Sequence, residues 1–393
     1  MREVVIIDAV RSAVGRRNGG LSNKYATELL GDVLSGLLSR SDIDPTAVDH
    51  VIGGCVSQVG VQAYNVIRNS WLAAGLPMEV PAVTVNNQCG SSQEAVTLAH
   101  GMVAGGLADV VIACGVESMS KVPLGVSIPT DPDYGFPRGG RYEKYYEPTS
   151  QFEAAERIAE NWNLDRSSLE IFAKSSQDRA KRAWAEDRFA GQIIPILVPV
   201  VSEAGESNES KLFNRDEGLR ETTLETLATL RTNLPNRIPS FHTAGTTSQV
   251  SDGASAILIM SAERSNELGL RPRARLVDSL LVGSDPVLML TGPIPATKKL
   301  LERSKLHIDD IDLVEINEAF ASVVLAWQRE NDINPEKVNV NGGAIALGHP
   351  LGATGTLLLT KALFELERAD GRYGLVTMCC GGGLGTGTII ERF

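Results

Sequence analysis

The stretch VPAVTVNNQCGSSQEAVTLAHGMVAGG, Val80–Gly106, decides how the first half of this sequence folds. Its first six residues form a short apolar run typical of a buried strand, and the part from Ser91 onward has the apolar spacing of a helix. Ser91 or Ser92 is the expected N-cap of that helix. Cys89 therefore lies in a turn at a helix N-terminus, where the helix dipole and free N–H groups favour a thiolate.

The same order of elements recurs near the C-terminus. Three anchors are related at nearly constant separation: Asp49 and Asp312 are 263 residues apart, Val85 and Val340 are 255 apart, and residues 111 and 375 are 264 apart. Both halves alternate apolar strands with helical patterns. The sequence therefore predicts an α/β protein with two duplicated βαβ-type halves.

The repeat divides the chain into four expected segments. Residues 1–120 form the first half, and residues 121–244 form an inserted loop domain that has no counterpart in the second half. Residues 245–270 return to the first half, because SQVSDGASAILIMSAE ends in an apolar strand. Residues 271–393 form the second half.

Charge and composition exclude several classes of protein. The net charge of −11 argues against general binding to nucleic acid or to a membrane surface. No apolar run approaches the roughly 20 residues of a membrane helix. The N-terminal strand pattern carries Glu3 and Asp8, unlike a signal peptide. The five cysteines form no CxxC pair and the five histidines show no ligand spacing, so we expect a cytoplasmic protein without disulfides or a metal.

Four polar clusters follow predicted strands, where chemistry gathers in α/β sheets. They are Cys89, NEAF at 317–320, GHP at 348–350 and CCG at 379–381. Each alone has a structural explanation, as a small buried thiol, a helix cap or a loop histidine. Together, two thiols, an imidazole and a carboxamide favour nucleophilic catalysis by a thiol with an oxyanion hole.

The chain resembles the thiolase family over nearly its whole length. The matching stretches are VNNQCGSS, GGLADVVIACGVESMS, HTAGTTSQVSDGASA, VEINEAFA, NVNGGAIALGHPLGATG and TMCCGGGLGTGTI. The resemblance implies the thiolase fold, a layered αβαβα core with an inserted loop domain. QFEAAERIAE and GTIIERF are similar to bacterial degradative thiolases, including those of steroid catabolism.

The resemblance also implies a reaction and its residues. A 3-ketoacyl-CoA is cleaved by CoA through an acyl-enzyme, giving acetyl-CoA and a shortened acyl-CoA, in lipid or steroid degradation. Cys89 matches the nucleophile, His349 its base, and Cys379 the group that moves the proton at the α-carbon. Asn317 and His349 match one oxyanion hole, and the N–H groups of Cys89 and Gly381 match the other.

The partners are likewise implied by the family, in which the inserted loop domain, residues 121–244 here, binds CoA. CoA and acyl-CoA are substrates, with no permanently bound cofactor, and Arg220, Ser248, Ala319 and Phe320 match positions that contact them. Family members are homodimers at least. Segment 122–146 suggests a homotetramer.

Other interpretations stay open at this point. Ser150-Gln151-Phe152 replaces a His-Met-Gly wall of short-chain thiolases, yet a biosynthetic acetoacetyl-CoA thiolase is the serious alternative. A decarboxylating ketoacyl synthase would carry a histidine in place of Asn317, and a thiolase-like CoA-binding protein without activity would lack a catalytic residue. Six aromatic residues of the insertion either pack it on the core or line a wide acyl site: Tyr134, Phe136, Tyr142, Tyr145, Tyr146 and Phe152.

Overall fold

The computed structural model describes residues 2–128, 131–202 and 205–393. Its strands are β1 (Val4–Arg11), β2 (Gly15–Arg16), β3 (His50–Gly54), β4 (Ala82–Val85), β5 (Val110–Ser118), β6 (Ile196–Ser202), β7 (Gly205–Phe213), β8 (Ser251–Ser261), β9 (Ala274–Gly283), β10 (Leu313–Ile316), β11 (Tyr373–Cys380) and β12 (Leu384–Arg392). Its helices are α1 (Ala26–Arg40), α2 (Val66–Ala73), α3 (Ser91–Ala104), α4 (Gln151–Asn161), α5 (Arg166–Ala185), α6 (Leu224–Ala228), α7 (Ala262–Glu267), α8 (Pro293–Ser304), α9 (Ala321–Asn331), α10 (Ala344–Leu347) and α11 (Thr354–Ala369).

A single twisted sheet runs through both halves of the described chain, in the order β10-β11-β12-β9-β1-β8-β5-β3-β4, with β2 beside β8. Strand β3 is parallel to β4 and β5, and β10 is parallel to β11. The halves join where β1 pairs with β9 over two positions, Val5 with Arg275 and Ile6 with Ala274.

Two buried helices separate the halves. Helix α3 contacts β3 and β5 of the first half and β9 and β12 of the second, while α11 contacts β10 and β11 as well as β1 and β8. Helices α1 and α2 cover the outer face of the first half, and α8 packs on the strands of the second. The layered αβαβα arrangement predicted from the sequence is confirmed.

Equivalent hydrogen bonds at matching positions of the two halves reveal the duplication. The carboxylate of Asp49 accepts from the backbone N–H groups of residues 109 and 110, at 2.7 and 2.9 Å. Asp312 accepts in the same way from residues 372 and 373, at 2.7 and 3.0 Å. The two aspartates are 263 positions apart, and so are the N–H groups that they bind. The sequence comparison paired residue 111 with residue 375, which are 264 positions apart, so that pairing is one residue too long.

The halves also touch through their backbones, at glycines. A Cβ atom on Gly115 would lie 2.1 Å from the carbonyl oxygen of Gly352, and one on Gly54 would lie 2.5 Å from the same oxygen. No side chain fits at those distances. Glycine is therefore required for the loop before α11 to lie against β3 and β5.

The segment between β5 and β8 contributes α4, α5, α6 and the β6–β7 hairpin. After it, β8 enters the sheet between β1 and β5 and is antiparallel to both. Over the described ranges, no helix combines the length and apolar character needed to span a bilayer.

Candidate active site

Cys89 lies in the turn from β4 to α3 and is partly buried. The turn holds Gln88 in the left-handed region, with φ of 51°. The Ser91 hydroxyl accepts from the backbone N–H of Asn87 at 2.9 Å and donates to the carbonyl of Gln88 at 2.5 Å. The N-cap is Gly90, without a side-chain cap. The predicted serine cap is therefore wrong, because the Ser91 hydroxyl bonds within the turn.

The second half brings three side chains and one N–H group to this turn. Asn317 follows β10, Cys379 lies near the end of β11, and His349 lies in the loop before α11. Nδ2 of Asn317 is 3.3 Å from Nε2 of His349. The backbone N–H of Gly381 bonds to the sulfur of Cys89, and proximity to Cys89 contributes to raising the pKa of both Cys379 and Cys380, so the three sulfurs lie near one another. Cys89 packs against a cluster that contains Leu351, two residues after His349, and the N–H of Asn317 donates to the carbonyl of Thr377, two residues before Cys379, at 3.1 Å. The residues singled out for catalysis from the sequence therefore lie in one region of the molecule.

The imidazole of His349 is buried and neutral. Burial lowers its pKa from 6.5 to about 4, because the charged form loses its hydration. Its Nδ1 lies 2.7 Å from Oγ1 of Thr354, and its backbone N–H donates to the Ser251 hydroxyl at 3.1 Å. Oδ1 of Asn317 is buried and has no hydrogen-bond partner in the described chain. A donor supplied by substrate or solvent fits that oxygen.

Electrostatics at Cys89 differ from the sequence-based expectation. Burial of its thiol raises its pKa to about 11, and the negative charge of Glu117 also raises it. The N–H groups of Cys89 and Gly381 act in the opposite direction but are outweighed. The expected depressed pKa is therefore wrong for the resting site. At neutral pH, Cys89 is a thiol and His349 a neutral imidazole.

The adjacent cysteines of β11 face opposite sides, as alternate positions on a strand do. Cys379 packs in an apolar cluster with Ala319 and Phe320. Cys380 lies on the other side, where Nδ2 of Asn87 is 3.9 Å from its sulfur. Burial raises the pKa of both thiols. Only Cys379 shares the apolar cluster of Phe320.

Glu117 is a buried residue of this region that sequence reasoning missed. Its carboxylate accepts from the backbone N–H groups of Val56 (2.9 Å), Ser57 (3.1 Å) and Gly352 (2.9 Å), and from the amide of Gln62 (2.9 Å). Burial raises the pKa of Glu117, while these donors lower it. The available signal was an acid at the end of an apolar strand, VVIACGVES, since such a buried charge requires donors.

Comparison with known proteins identifies the family. Residues 4–263 match the thiolase N-terminal domain and residues 270–392 match the thiolase C-terminal domain. The chain belongs to the thiolase family. It is 48% identical to the steroid 3-ketoacyl-CoA thiolase FadA6 of Mycobacterium tuberculosis, over 100% of this chain and 95% of that protein. It is 40% identical to an acetyl-CoA acetyltransferase of Allochromatium vinosum, over 99% of each.

A solved structure supports the same assignment. The crystal structure of the Bacillus anthracis acetyl-CoA acetyltransferase aligns with a TM-score of 0.91 and 35% identity, over 100% of this chain and 99% of that one. This thiolase is therefore an acyltransferase, and its reaction is the thiolytic cleavage of a 3-ketoacyl-CoA.

The thiolase residues expected to contact CoA lie close to the segment 247–249. The backbone N–H of Ser248 donates to the carbonyl of Ala319 at 3.0 Å, and the residue before Ser248 forms a β-bridge with Phe320. Nη2 of Arg220 is 3.1 Å from the side-chain oxygen of Gln249, the residue after Ser248. The four predicted positions are thus neighbours around this segment, with Ala319 and Phe320 buried.

Arg220 lies between two clefts of the thiolase surface. One, of about 170 Å³, reaches toward Gly245 and Ile345. The other, of about 470 Å³, is lined by three further basic residues, Arg16, Lys181 and Arg215, and by three acidic residues, Asp216, Glu217 and Glu221. Across the described residues, no group of three or more His, Cys, Asp or Glu side chains is placed to hold a metal ion.

The six aromatic residues of the insertion differ in exposure. Four are exposed, at 48–80%: Tyr134, Phe136, Tyr145 and Tyr146. Tyr142 is half-buried, and its ring centroid lies 5.7 Å from that of Tyr146. Phe152 packs edge-on against Phe320, with ring centroids 5.6 Å apart, in the cluster that contains Cys379. The sequence left open whether this set packs the insertion on the core or lines the acyl site. The four exposed rings are not packed on the core, and Phe152 lies in the cluster that contains Cys379.

Proposed function

We propose that Cys89 carries the acyl group and that His349, Cys379, Asn317 and Gly381 complete the catalytic set. The observation that carries this proposal is the position of the Cys89 sulfur, which accepts the Gly381 N–H beside Cys379. Asn317 and His349 lie at hydrogen-bonding distance from each other at the same site. These groups supply a nucleophile, a base, a second proton carrier and two oxyanion holes.

The first chemical step transfers the Cys89 thiol proton to Nε2 of His349 as the sulfur attacks the ketone carbon. Because both groups are neutral at rest, proton transfer accompanies the attack. The N–H groups of Cys89 and Gly381 stabilise the resulting oxyanion, and losing one such donor typically costs roughly 3 kcal/mol of barrier. The bond between the ketone carbon and the α-carbon then breaks, leaving an acyl-enzyme and the enolate of acetyl-CoA.

The remaining steps return every proton. Protonated His349 and a donor held by Asn317 stabilise the enolate oxygen, and the Cys379 thiol protonates the α-carbon. Acetyl-CoA leaves, and free CoA gives its thiol proton to the Cys379 thiolate. The CoA sulfur then takes the acyl group from Cys89, and His349 returns its proton to the Cys89 sulfur.

CoA is proposed to lie along Ser248, Ala319 and Phe320, with its nucleotide end toward Arg220. The support is the proximity of these residues around positions 247–249 and the cleft beside Arg220, which carries four basic and three acidic side chains. CoA is then a substrate, and we propose no permanently bound cofactor and no metal.

The proposed acyl substrate is longer than acetoacetyl-CoA and can carry a ring, as in lipid or steroid degradation. The support is the 48% identity to a relative named as a steroid 3-ketoacyl-CoA thiolase. A biosynthetic acetoacetyl-CoA thiolase is the second candidate. It is favoured by the 40% and 35% identities to proteins named as acetyl-CoA acetyltransferases.

The proposed assembly is a cytoplasmic homodimer at least, and a homotetramer through the insertion. Strand β4 is an edge of the sheet, and Val83 on it is 40% exposed. The insertion exposes an apolar surface at Leu124, Val126 and Ile128 beside its aromatic residues. Light scattering at micromolar concentration is expected to show a dimer or tetramer, and a stable monomer would contradict this.

Mass spectrometry tests the catalytic assignment. After brief exposure to a 3-ketoacyl-CoA without free CoA, the acyl adduct is expected on the peptide containing Cys89. The variant Cys89→Ser is the control and should carry no thioester. An adduct on Cys379 or Cys380 in the unmodified protein would reverse the assigned roles.

A further inference from the structure

We propose that Thr354 is a positioning residue that holds His349 in one tautomer. Its hydroxyl accepts the Nδ1–H of the imidazole, so that Nε2 keeps a lone pair for the Cys89 proton. The catalytic consequence rests on the function proposed above for His349. The tautomer itself follows from the contacts of Thr354 alone.

Two short distances fix the direction of these hydrogen bonds. Oγ1 of Thr354 is 2.8 Å from the carbonyl oxygen of Pro350 and 2.7 Å from Nδ1 of His349. Two oxygens 2.8 Å apart need a hydrogen between them, and a carbonyl has none to supply. The single hydroxyl hydrogen of Thr354 therefore points to Pro350. Its oxygen can then only accept from His349, so Nδ1 carries the imidazole proton.

The opposite arrangement is unfavourable. If Thr354 donated to Nδ1, two oxygen lone pairs would face each other across the gap to Pro350. The Pro350 carbonyl would keep a donor, since the N–H of Ala353 lies 3.0 Å away. The short contact between the two oxygens, and not any lack of donors at Pro350, therefore decides the tautomer.

The other ring nitrogen agrees with this tautomer. A neutral imidazole with its proton on Nδ1 presents an acceptor at Nε2. Nδ2 of Asn317, an N–H donor, lies 3.3 Å from that nitrogen. The amide then directs Oδ1 elsewhere, and that oxygen is the buried atom without a partner in the described chain. Both ring nitrogens of His349 thus have a complementary partner.

The repeat supplies an independent precedent in the same molecule. Ser91 opens α3 and Thr354 opens α11, and they are 263 residues apart, the separation that relates Asp49 to Asp312. The Ser91 hydroxyl donates to a carbonyl three residues earlier and accepts the backbone N–H of Asn87, whose direction is not in question. Thr354 uses its hydroxyl in the same way, with the imidazole N–H of His349 in place of a backbone N–H.

The tautomer determines whether the proton can move. With the proton on Nδ1, Nε2 has a lone pair that takes the Cys89 proton once the Asn317 N–H turns away from it, and the new imidazolium keeps its bond to Thr354. With the proton on Nε2, the ring would have no lone pair on the side of Asn317. A fixed partner at Nδ1 is how proteins select between these forms.

The test is a direct measurement of the tautomer. Solid-state NMR of protein labelled with ¹⁵N-histidine distinguishes a protonated ring nitrogen from a bare one, and His349→Asn assigns the signal among the five histidines. We expect protonated Nδ1 and bare Nε2 in the unmodified protein. A proton on Nε2 overturns the proposal. This result does not depend on the reaction, so activity retained by His349→Ala would refute the proposed function alone.

Variants then connect the tautomer to catalysis. Thr354→Val should lower kcat roughly 10- to 100-fold, the usual effect of losing such an orienting partner, with KM changed by less than about threefold. Thr354→Ser keeps the hydroxyl and should restore most of kcat. Thr360→Val is the matched control. The Thr360 hydroxyl also donates to a carbonyl four residues earlier, at 2.8 Å, but the imidazole of His349 bonds to Thr354 and not to Thr360.

The outcomes separate positioning from packing. Equal losses in Thr354→Val and Thr360→Val, or an unchanged His349 spectrum and kcat in Thr354→Val, would overturn the proposal. If Thr354→Val does not fold, the spectrum of the unmodified protein and that of Thr354→Ser decide. Both must show the proton on Nδ1.

Discussion

Glu117 accepts a hydrogen bond from the backbone N–H of Gly352 at 2.9 Å, across the boundary between the two halves. The same carboxylate bonds the loop after β3 through Val56 and Ser57. One buried anion thus fixes two loops, and one of them is the loop between His349 and α11.

Glu117→Gln is expected to damage both stability and rate. The amide keeps the shape but turns an NH₂ group toward backbone N–H donors, and each buried donor left unpaired costs roughly 1–3 kcal/mol. We expect Tm to fall by several degrees and kcat by roughly tenfold. Glu94→Gln is the matched control, because Oε2 of Glu94 is buried and has no partner in the described chain. If the two variants behave alike, Glu117 does not hold the loops.

Alkylation of Cys89 should depend steeply on pH. Its pKa is raised to about 11 by burial, so the thiolate is a small fraction at neutral pH and grows as pH rises. The rate with iodoacetamide, followed by peptide mass spectrometry, should increase about tenfold per unit from pH 7 to 10. Cys55, whose pKa burial also raises, should stay unmodified as an internal control. A rate that levels off near neutrality would contradict a neutral resting pair.

Cys379→Ala is expected to separate two partial reactions. Cleavage of the carbon–carbon bond should fail, because the α-carbon loses its proton donor. Acyl exchange between Cys89 and CoA should persist in part, since the nucleophile and His349 are intact. Cys380→Ala is the control and should keep kcat within about threefold, because its thiol lies on the other side of β11, near Asn87. Near-normal cleavage by Cys379→Ala would transfer the proton role to another group.

The acyl preference should increase with chain length. Each buried methylene contributes about 0.8 kcal/mol, so kcat/KM should rise several-fold per added carbon from acetoacetyl-CoA until the site is full. A maximum at four carbons with a sharp decrease at six would instead establish the biosynthetic alternative.

Phe152 is expected to limit the acyl site. Phe152→Ala removes the ring that packs against Phe320, and should shift kcat/KM toward bulkier, ring-bearing substrates. Phe172→Ala is the matched control, because Phe172 packs in clusters that do not contain Cys379. The same shift in both variants would argue against a role for Phe152 in specificity.

The sequence was sufficient for the features that repeat or alternate. The two halves, the turn at Cys89 and the opposite directions of Cys379 and Cys380 follow from the repeat, from apolar runs and from the period of a strand. The pKa of Cys89 could not be predicted in this way. The helix N-terminus that favours a low pKa can be recognised from the local sequence. The burial that raises the pKa depends on distant residues of the second half.

The contacts of Glu117 and Thr354 were also beyond the sequence pattern. Glu117 is 235 positions from Gly352, and no local rule predicts that bond. Thr354 is near His349 in sequence, but its role depends on the conformation of the loop around Pro350. The sequence also did not predict which aromatic residues of the insertion are exposed, because composition does not determine which face of a loop contacts solvent.

The backbone contact of Gly54, Gly115 and Gly352 determines how this protein can be recombined with its relatives. Because a Cβ on either of the first two would lie within 2.5 Å of the Gly352 carbonyl, a first half from another thiolase can dock only if it has glycine at both positions. Hybrids joined near residue 270 should therefore be screened first for these three positions. Those that lack one are expected to be unstable, because the loop before α11 cannot lie against β3 and β5.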